Sequence, residues 1–309
     1  MKFFITGGAG YLGSTLCKKL LDRGDKVTVL DNLMYGQATS LFHVAGHPNF
    51  TYIHGDVRDT NLIRKLGEDS DVIVPLACLV GAPLCNDNPS DAKEINTGHV
   101  IELARLGKKL IYPTTNSGYG VGGEEECTEE SPLNPLSVYG TTKVEAENYI
   151  LGTKTGVCFR LATGFGASPR QRLDLLVNDF VVRAKRDGCI VLFEEHFRRN
   201  YIHVNDVCNA FIFAVENYSK MVGETYNVGL SSANLTKREL AERVKEYLPK
   251  TVIISSEIGK DPDKRDYLVS NEKLESLGWA PEHTLDEGIK EICKVYDLIK
   301  GSGDIYRNY

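Results

Sequence analysis

Two short stretches of this chain hold residue types that can do redox chemistry. Gly7-Gly8-Ala9-Gly10-Tyr11-Leu12-Gly13 follows the apolar run Lys2-Phe3-Phe4-Ile5-Thr6 and opens a helical pattern over 11–23. Glycines between a strand and a helix permit a tight turn and a close approach of backbone to a pyrophosphate, which then faces the helix N-terminus. Asp31 ends the next apolar run, 18 residues beyond Gly13. A carboxylate there can accept hydrogen bonds from the adenosine ribose and repels a 2′-phosphate, so NAD is expected rather than NADP. Tyr139-Gly140-Thr141-Thr142-Lys143 sets a phenol and an ammonium four residues apart, on one face of a helix. A free tyrosine, with a pKa of ~10, is a poor base at neutral pH. A neighbouring ammonium and a positive nicotinamide both favour the phenolate. Such a tyrosine can take the proton of a substrate alcohol while hydride leaves the same carbon. Either pattern alone is common; together, in this order, they describe an alcohol-oxidising site.

The dinucleotide is expected to meet Gly7, Gly10, Tyr11, Leu12, Asp31, Asn32, Asp56, Val57 and Leu76 besides Tyr139 and Lys143. Asp56 reads equally as a contact to adenine or as the N-cap of the next helix.

These residues need a scaffold, and the pattern supplies one. Strands are expected at Lys2–Thr6, Lys26–Asp31, Phe50–His54, Asp71–Ala77, Lys109–Thr114 and Val157–Leu161, with helices at 11–23, near 90–106 and at 135–151. Strands alternating with helices at this spacing indicate βαβ units and a doubly wound parallel α/β sheet. Beyond about residue 163 the rhythm breaks, and helices near 174–187, 205–217, 236–248 and 284–299 separate shorter strands. The expected division is a dinucleotide-binding domain over 1–163 and a smaller α/β substrate domain over 164–309. Tyr201–Val204 is expected to return to the main sheet, so the first domain takes a segment near 200–217.

Composition narrows the partners. The 309 residues carry a formal charge of −6, a poor basis for binding nucleic acid or an anionic membrane. Residues 160–200 alone hold seven Arg and one Lys against five carboxylates, which suits a small anion. Arg183, Lys185 and Arg186 fit a solvated helix face. The eight cysteines are scattered, and no histidine pair has metal spacing, so reduced thiols, a cytoplasmic location and no metal are expected. No run reaches the ~18 apolar residues of a membrane span. Five Glu within 124–130 read as a solvated loop, and His196 reads equally as pocket lining or as structural.

Gly7–Gly13, Asp31, the Tyr139/Lys143 pair and Arg199-Asn200-Tyr201-Ile202-His203-Val204-Asn205-Asp206 together resemble the extended short-chain dehydrogenases/reductases that act on nucleotide sugars. The resemblance runs to Leu277-Gly278-Trp279-Ala280-Pro281. It implies a Rossmann domain, a C-terminal nucleotide-sugar domain and a homodimer. It also implies that Thr115, four residues before Tyr119-Gly120, aligns the sugar O4. Arg199 and Arg265, the latter in Asp263-Lys264-Arg265-Asp266-Tyr267, would hold the diphosphate, with Gly81, Asn116, Ser117, Thr163 and the Asn178 amide also on the substrate side. The 4,6-dehydratases of that family place Asp-Glu after the Thr. This chain has Asn116-Ser117, which lack carboxylic proton donors and disfavour dehydration.

Segments 79–85, 113–120, 172–180 and 193–203 further resemble GDP-heptose 4-dehydrogenases of bacterial capsule assembly. That resemblance implies oxidation of GDP-D-glycero-α-D-manno-heptose at C4, with bound NADH reoxidised by 2-oxoglutarate. A 4-epimerase would use the same residues, and a cofactor-sensing binding protein would usually have lost the Tyr or Lys.

Overall fold

Phe3, Phe4 and Ile5 are all at most 2% exposed, yet they serve two cores: Phe3 and Ile5 pack with one cluster, Phe4 with the other. The same alternation holds at Val72, Ile73 and Val74. A strand apolar on both faces belongs in a parallel sheet covered by helices on each side. The computed structural model describes residues 1–256, 265–300 and 303–308, and in it these strands form such a sheet. Its strands are β1 (Lys2–Thr6), β2 (Lys26–Asp31), β3 (Phe50–His54), β4 (Val72–Pro75), β5 (Lys109–Thr115), β7 (Gly156–Leu161) and β11 (Thr225–Val228). All pairings are parallel, in the spatial order β11-β7-β5-β4-β1-β2-β3. The chain moves one way from β1 to β2 and β3, then crosses back to β4. That reversal opens a crevice at the carboxyl ends of β1 and β4, where α/β sheets bind ligands.

The strand that completes this sheet corrects one expectation. Tyr201–Val204 does not join it. β10 (Arg198–His203) pairs instead with β8 (Thr163–Phe165) and β12 (Asn234–Thr236) in a separate three-stranded sheet. Thr225–Val228 takes the edge place, its four residues buried although two are polar. What the segment near 200–217 returns to the first half is a helix, α8 (Val204–Glu216), packed on α1 (Tyr11–Asp22). β6 (Val121–Cys127) pairs with β14 (Asp266–Val269), so the first glutamates of the 124–130 run belong to a strand, not a loop. Pairing of β13 (Val252–Ser256) with β9 (Cys189–Phe193) gives a further small sheet.

The helix expected near 90–106 is broken into pieces. Pro89 starts one short helix and a π-turn over Glu94–Gly98 interrupts the next, where the widened backbone carries Asn96. The Asn96 carboxamide accepts from Leu79 N at 2.9 Å and donates to Leu79 O at 3.1 Å, fixing the loop after β4.

α6 (Val138–Thr153) is capped by Ser137, whose hydroxyl accepts from Gly140 N, and ends at Lys154 in the left-handed region (φ 52°). Its inner face is mixed, with Ala146 and Ile150 in the apolar core beside the buried Thr142, Lys143 and Glu147. Glu147 is fully buried and receives Arg160 Nε and Nη2 from β7 at 2.9 and 2.7 Å. Arg160 Nη1 also donates to the Tyr119 hydroxyl, which in turn donates to Asn227 on β11 at 2.7 Å. Removing one partner of a buried ion pair strands the other charge. Glu147→Gln is therefore expected to lower unfolding stability by about 3–5 kcal/mol. Urea midpoints at unchanged m-value would show it. The paired variant Glu147→Leu/Arg160→Met should recover most of the loss.

Candidate active site

The β1–α1 turn is closed to anything larger than glycine. Gly7 has φ +71°, and a Cβ on it would lie 2.5 Å from Ala77 N, the backbone leaving β4. A Cβ on Gly13 would come within 2.5 Å of Gly7 O, so α1 could not sit as close to the sheet. Gly10 caps α1 without a side-chain hydrogen bond, which leaves the first amide groups of the helix for a ligand. Asp31, at the end of β2, faces the same place. Its two oxygens accept from Ala9 N (2.9 Å) and Leu33 N (2.8 Å), and both retain lone pairs for ribose hydroxyls. Burial raises its pKa, and these two amides work against the shift. The fit to a dinucleotide is therefore steric at Gly7 and Gly13 and polar at Asp31.

A single cavity of about 650 Å³ runs from this turn across the sheet to β9 and β10. Gly7, Gly10, Tyr11, Leu12, Asp31, Asn32, Asp56, Val57 and Leu76 line it, as do Gly81, Thr115, Tyr139, Lys143, Thr163, Arg199 and Arg265. Among its described lining residues are seven cations (Lys143, Arg170, Arg172, Arg183, Arg199, Lys237, Arg265) and four carboxylates (Asp31, Asp56, Asp174, Asp179). The excess is positive in a chain of formal charge −6, and it favours an anionic ligand.

At the centre, α6 presents Tyr139 and Lys143 beside the end of β5. Lys143 Nζ lies 4.1 Å above the Tyr112 ring, a cation–π contact in a buried setting, and burial lowers its pKa. Thr115 Oγ1 donates to Ser117 Oγ at 2.9 Å, and Arg265 Nη1 reaches the same Ser117 oxygen at 2.5 Å. A line of three residues thus joins the reacting end of the cavity to its cationic end.

The electrostatics of Tyr139 differ from the expectation. Burial, with the Cys78 thiol behind it, pushes the phenol above its ordinary value. The charges that oppose this are Arg265 first and then Arg172, with Lys143 not among the leading influences. Further positive charge beside Tyr139 would add to those two and favour the phenolate.

Some expected site residues stand outside the cavity, and others line it while paired within the protein. Asn178 is fully buried and does not line the cavity. Its carboxamide donates to Arg172 O (2.8 Å) and accepts from Gly166 N (3.2 Å), so it shapes a loop and offers no amide to a phosphate. Asn116 and Ser117 are likewise absent from the lining, at 1% and 4% exposure; Ser117 N donates to Thr115 Oγ1 at 3.1 Å, while among the described residues the Asn116 carboxamide has no hydrogen-bond partner. Asp56 is held by Arg58, which brings its pKa down to about 2, and the cap of α2 (Thr60–Glu68) is Asp59, not Asp56. Arg183 does line the cavity and pairs with Asp179, while Lys185 and Arg186 pair at the surface. His196 packs edge-on to Phe197 outside the cavity. Asp263 and Lys264 lie outside the described residues.

Histidines do meet, contrary to expectation. The rings of His203 and His283 stack 4.3 Å apart and 11° from parallel, with Asp206 beside them. Parallel rings cannot aim their nitrogens at one ion. Asp206 already accepts from Glu282 N, His283 N and His283 Nδ1, and Glu291 meets His203 Nε2, so the cluster is a satisfied hydrogen-bond network.

Sequence reasoning missed the outer wall of the cavity. Near the end of the described chain, Ile305 O accepts from Gln37 Nε2 (2.5 Å), Tyr306 O accepts from Leu173 N (2.8 Å), and Arg307 pairs with Asp179. This strap bridges the loop after β2 to the loop before α7 (Leu176–Arg186), and Asn308 lines the cavity. No local motif marks it, because it is held by two backbone carbonyls and one ion pair distant in sequence.

Residues 3–229 match the NAD dependent epimerase/dehydratase family. The low-salt glycan biosynthesis protein Agl12 of Haloferax volcanii is 29% identical, over 96% of this chain and 99% of its own. UDP-glucuronic acid decarboxylase 1 of Arabidopsis thaliana is 31% identical, over 94% of this chain and 68% of its own. A solved structure of DesIV, the dTDP-glucose 4,6-dehydratase of Streptomyces venezuelae with NAD and TYD bound, is similar with a TM-score of 0.85. Its identity is 25%, over 99% of this chain and 100% of its own. No described helix is long and apolar enough to cross a membrane.

Two measurements test this geometry. If the Tyr139 phenolate is the base, kcat for alcohol oxidation rises with pH. Arg265→Gln should then move that limb to higher pH, because the largest opposing charge is gone. Deleting residues 303–308 should raise amide hydrogen exchange over 33–41 and 171–175 while leaving β5 and α6 as protected as before.

Proposed function

The chain belongs to the NAD dependent epimerase/dehydratase family, and within it we propose that it oxidises the C4 hydroxyl of a nucleotide-diphosphate sugar to the ketone. One observation carries this reading. The cavity joins Tyr139, Lys143 and Thr115 to a cationic end, and the sequence after Thr115 is Asn116-Ser117 where the resemblance gives the dehydratases Asp-Glu. NAD, when bound, supplies the two-electron acceptor. Gly7, Gly10, Leu12 and Asp31 would hold its adenosine and pyrophosphate half.

The chain's own groups divide the remaining work. Thr115, its hydroxyl set by Ser117, aligns the sugar O4. Tyr139 takes the O4 proton as the carbonyl forms. Lys143 offers its ammonium to the neighbouring ribose hydroxyls. Arg199 and Arg265 take the diphosphate as planar, bidentate donors. Asn116 and Ser117, which follow Thr115, carry no carboxylic acid to protonate a C6 hydroxyl, so in this reading the keto sugar keeps its oxygen.

GDP-D-glycero-α-D-manno-heptose as substrate, 2-oxoglutarate as final oxidant, a homodimer and a cytoplasmic setting follow the resemblance of segments 79–85, 113–120, 172–180 and 193–203. A 4-epimerase is the second reading. It is favoured by the strap that ties Gln37 and Leu173 together at the edge of the cavity, which suits a reduced cofactor that stays and returns its electrons. A cofactor-sensing role without catalysis fits poorly with an intact Tyr139/Lys143 pair.

Incubation with GDP- and UDP-sugars, with and without 2-oxoglutarate, separates these by mass spectrometry. Loss of two hydrogens marks oxidation, loss of water marks dehydration, and no mass change with an altered sugar marks epimerisation. Tyr139→Phe should abolish turnover and leave NAD bound. Keto-sugar formation at the wild-type rate in that variant would refute the assignment.

A further inference from the structure

Arg170 is 2% exposed and lines the cavity, yet its buried Nη2 has no hydrogen-bond partner among the described residues. A buried guanidinium nitrogen with nothing to donate to is costly, and native structures rarely leave one so. The surroundings hold the side chain in place. Arg170 N donates to Ser14 Oγ (3.2 Å) in the first turn of α1, and the guanidinium carbon lies 4.6 Å from the centre of the Tyr35 ring. Ser168, two residues earlier, donates to Tyr11 O at 2.7 Å, and the Tyr11 hydroxyl donates to Gly166 O at 2.8 Å. The loop 166–172 is thus clamped to the start of the helix whose uncapped N-terminus faces the cavity.

We infer that Arg170 is an anion-binding residue for the dinucleotide, donating through its free nitrogen to the pyrophosphate that α1 also attracts. Two features select the pyrophosphate. The helix N-terminus beside Arg170 favours negative charge, and Asp31 nearby already supplies acceptors for the ribose hydroxyls and repels a further phosphate on the ribose. Burial and the charge of Arg172 both work against the Arg170 cation, with Asp174 and Asp31 in support, so an added anion relieves the site. Arg172 is committed to Asp174 and is not a substitute. The contact would reach the cofactor from the second half of the chain, from a residue outside the glycine turn.

The inference rests on NAD being the cofactor of the proposed reaction, and the test keeps the two apart. NAD affinity is measured by calorimetry at several salt concentrations for the wild type, Arg170→Ala and Arg170→Met. The Met variant keeps the apolar stem on Tyr35 and guards against a folding defect, which ligand-free thermal unfolding would reveal. Both variants are expected to bind NAD about ten- to a hundredfold more weakly, the range for a charge-assisted hydrogen bond. Their affinity should also fall less steeply with salt than that of the wild type. NAD affinity within twofold of wild type, weaker binding with an unchanged salt dependence, or an effect confined to NADP would each overturn it. A wild type that binds no NAD would overturn the proposed reaction as well.

Discussion

The ion pair between Arg160 and Glu147 is the constraint on which the reacting centre depends. Tyr139, Lys143 and Glu147 follow at intervals of four on α6, so they share a face. The first two look into the cavity and the third looks into the protein. With Glu147 anchored to β7, the rotation of α6 about its axis is set, and the phenol and ammonium have one direction open to them. Tyr119 and Asn227 extend the network to β11, so the sheet edge and the helix are positioned by the same group of polar side chains. Such a network confers little net stability over an apolar core, and its value lies in allowing one arrangement.

Across the cavity the division of labour follows charge. The first half of the chain contributes the glycine turn and Asp31, which fit a neutral-to-anionic dinucleotide through backbone amides and a carboxylate. The second half contributes most of the guanidinium groups. The two halves are not stacked side by side. The second sends a strand into the sheet of the first, a helix onto α1, and a loop onto the glycine turn. Ligand recognition at either end is therefore mechanically coupled to the packing of both.

Much of this was legible from the chain. The strands β1 and β2 are short apolar runs, α1 carries apolar periodicity, and the glycine turn is local in sequence, so residues 2–31 declare themselves, whereas α6 has no apolar stripe and is marked by its Tyr139/Lys143 pair. What stayed hidden lacks a local signature. Thr225-Tyr226-Asn227-Val228 looks too polar for a sheet edge until Glu147 and Tyr119 are seen to satisfy its side chains. Asn178 has the right residue type for a phosphate contact, and only the tertiary structure shows its amide engaged with residues 166 and 172. Arg170 was counted among the basic residues of 160–200, where nothing distinguishes it from Arg186 at the surface. The Gln37 and Leu173 contacts to the strap run through backbone carbonyls, on which sequence has no purchase.

The place of β11 in the chain bears on how the protein is made. The glycine turn emerges at the start of synthesis, whereas Thr225–Val228 follows roughly ten to forty seconds later at ribosomal rates of about 5–20 residues per second. Once made, β7 is an unpaired parallel edge for only the last roughly three to thirteen seconds of that interval, during which the Arg160–Glu147 network lacks Thr225 and Asn227. An edge of that kind is a template for pairing with other chains. The yield of soluble protein should therefore respond to translation speed and to chaperones that shield nascent strands, and this sensitivity arises from the fold's connectivity, independently of how stable the finished molecule is.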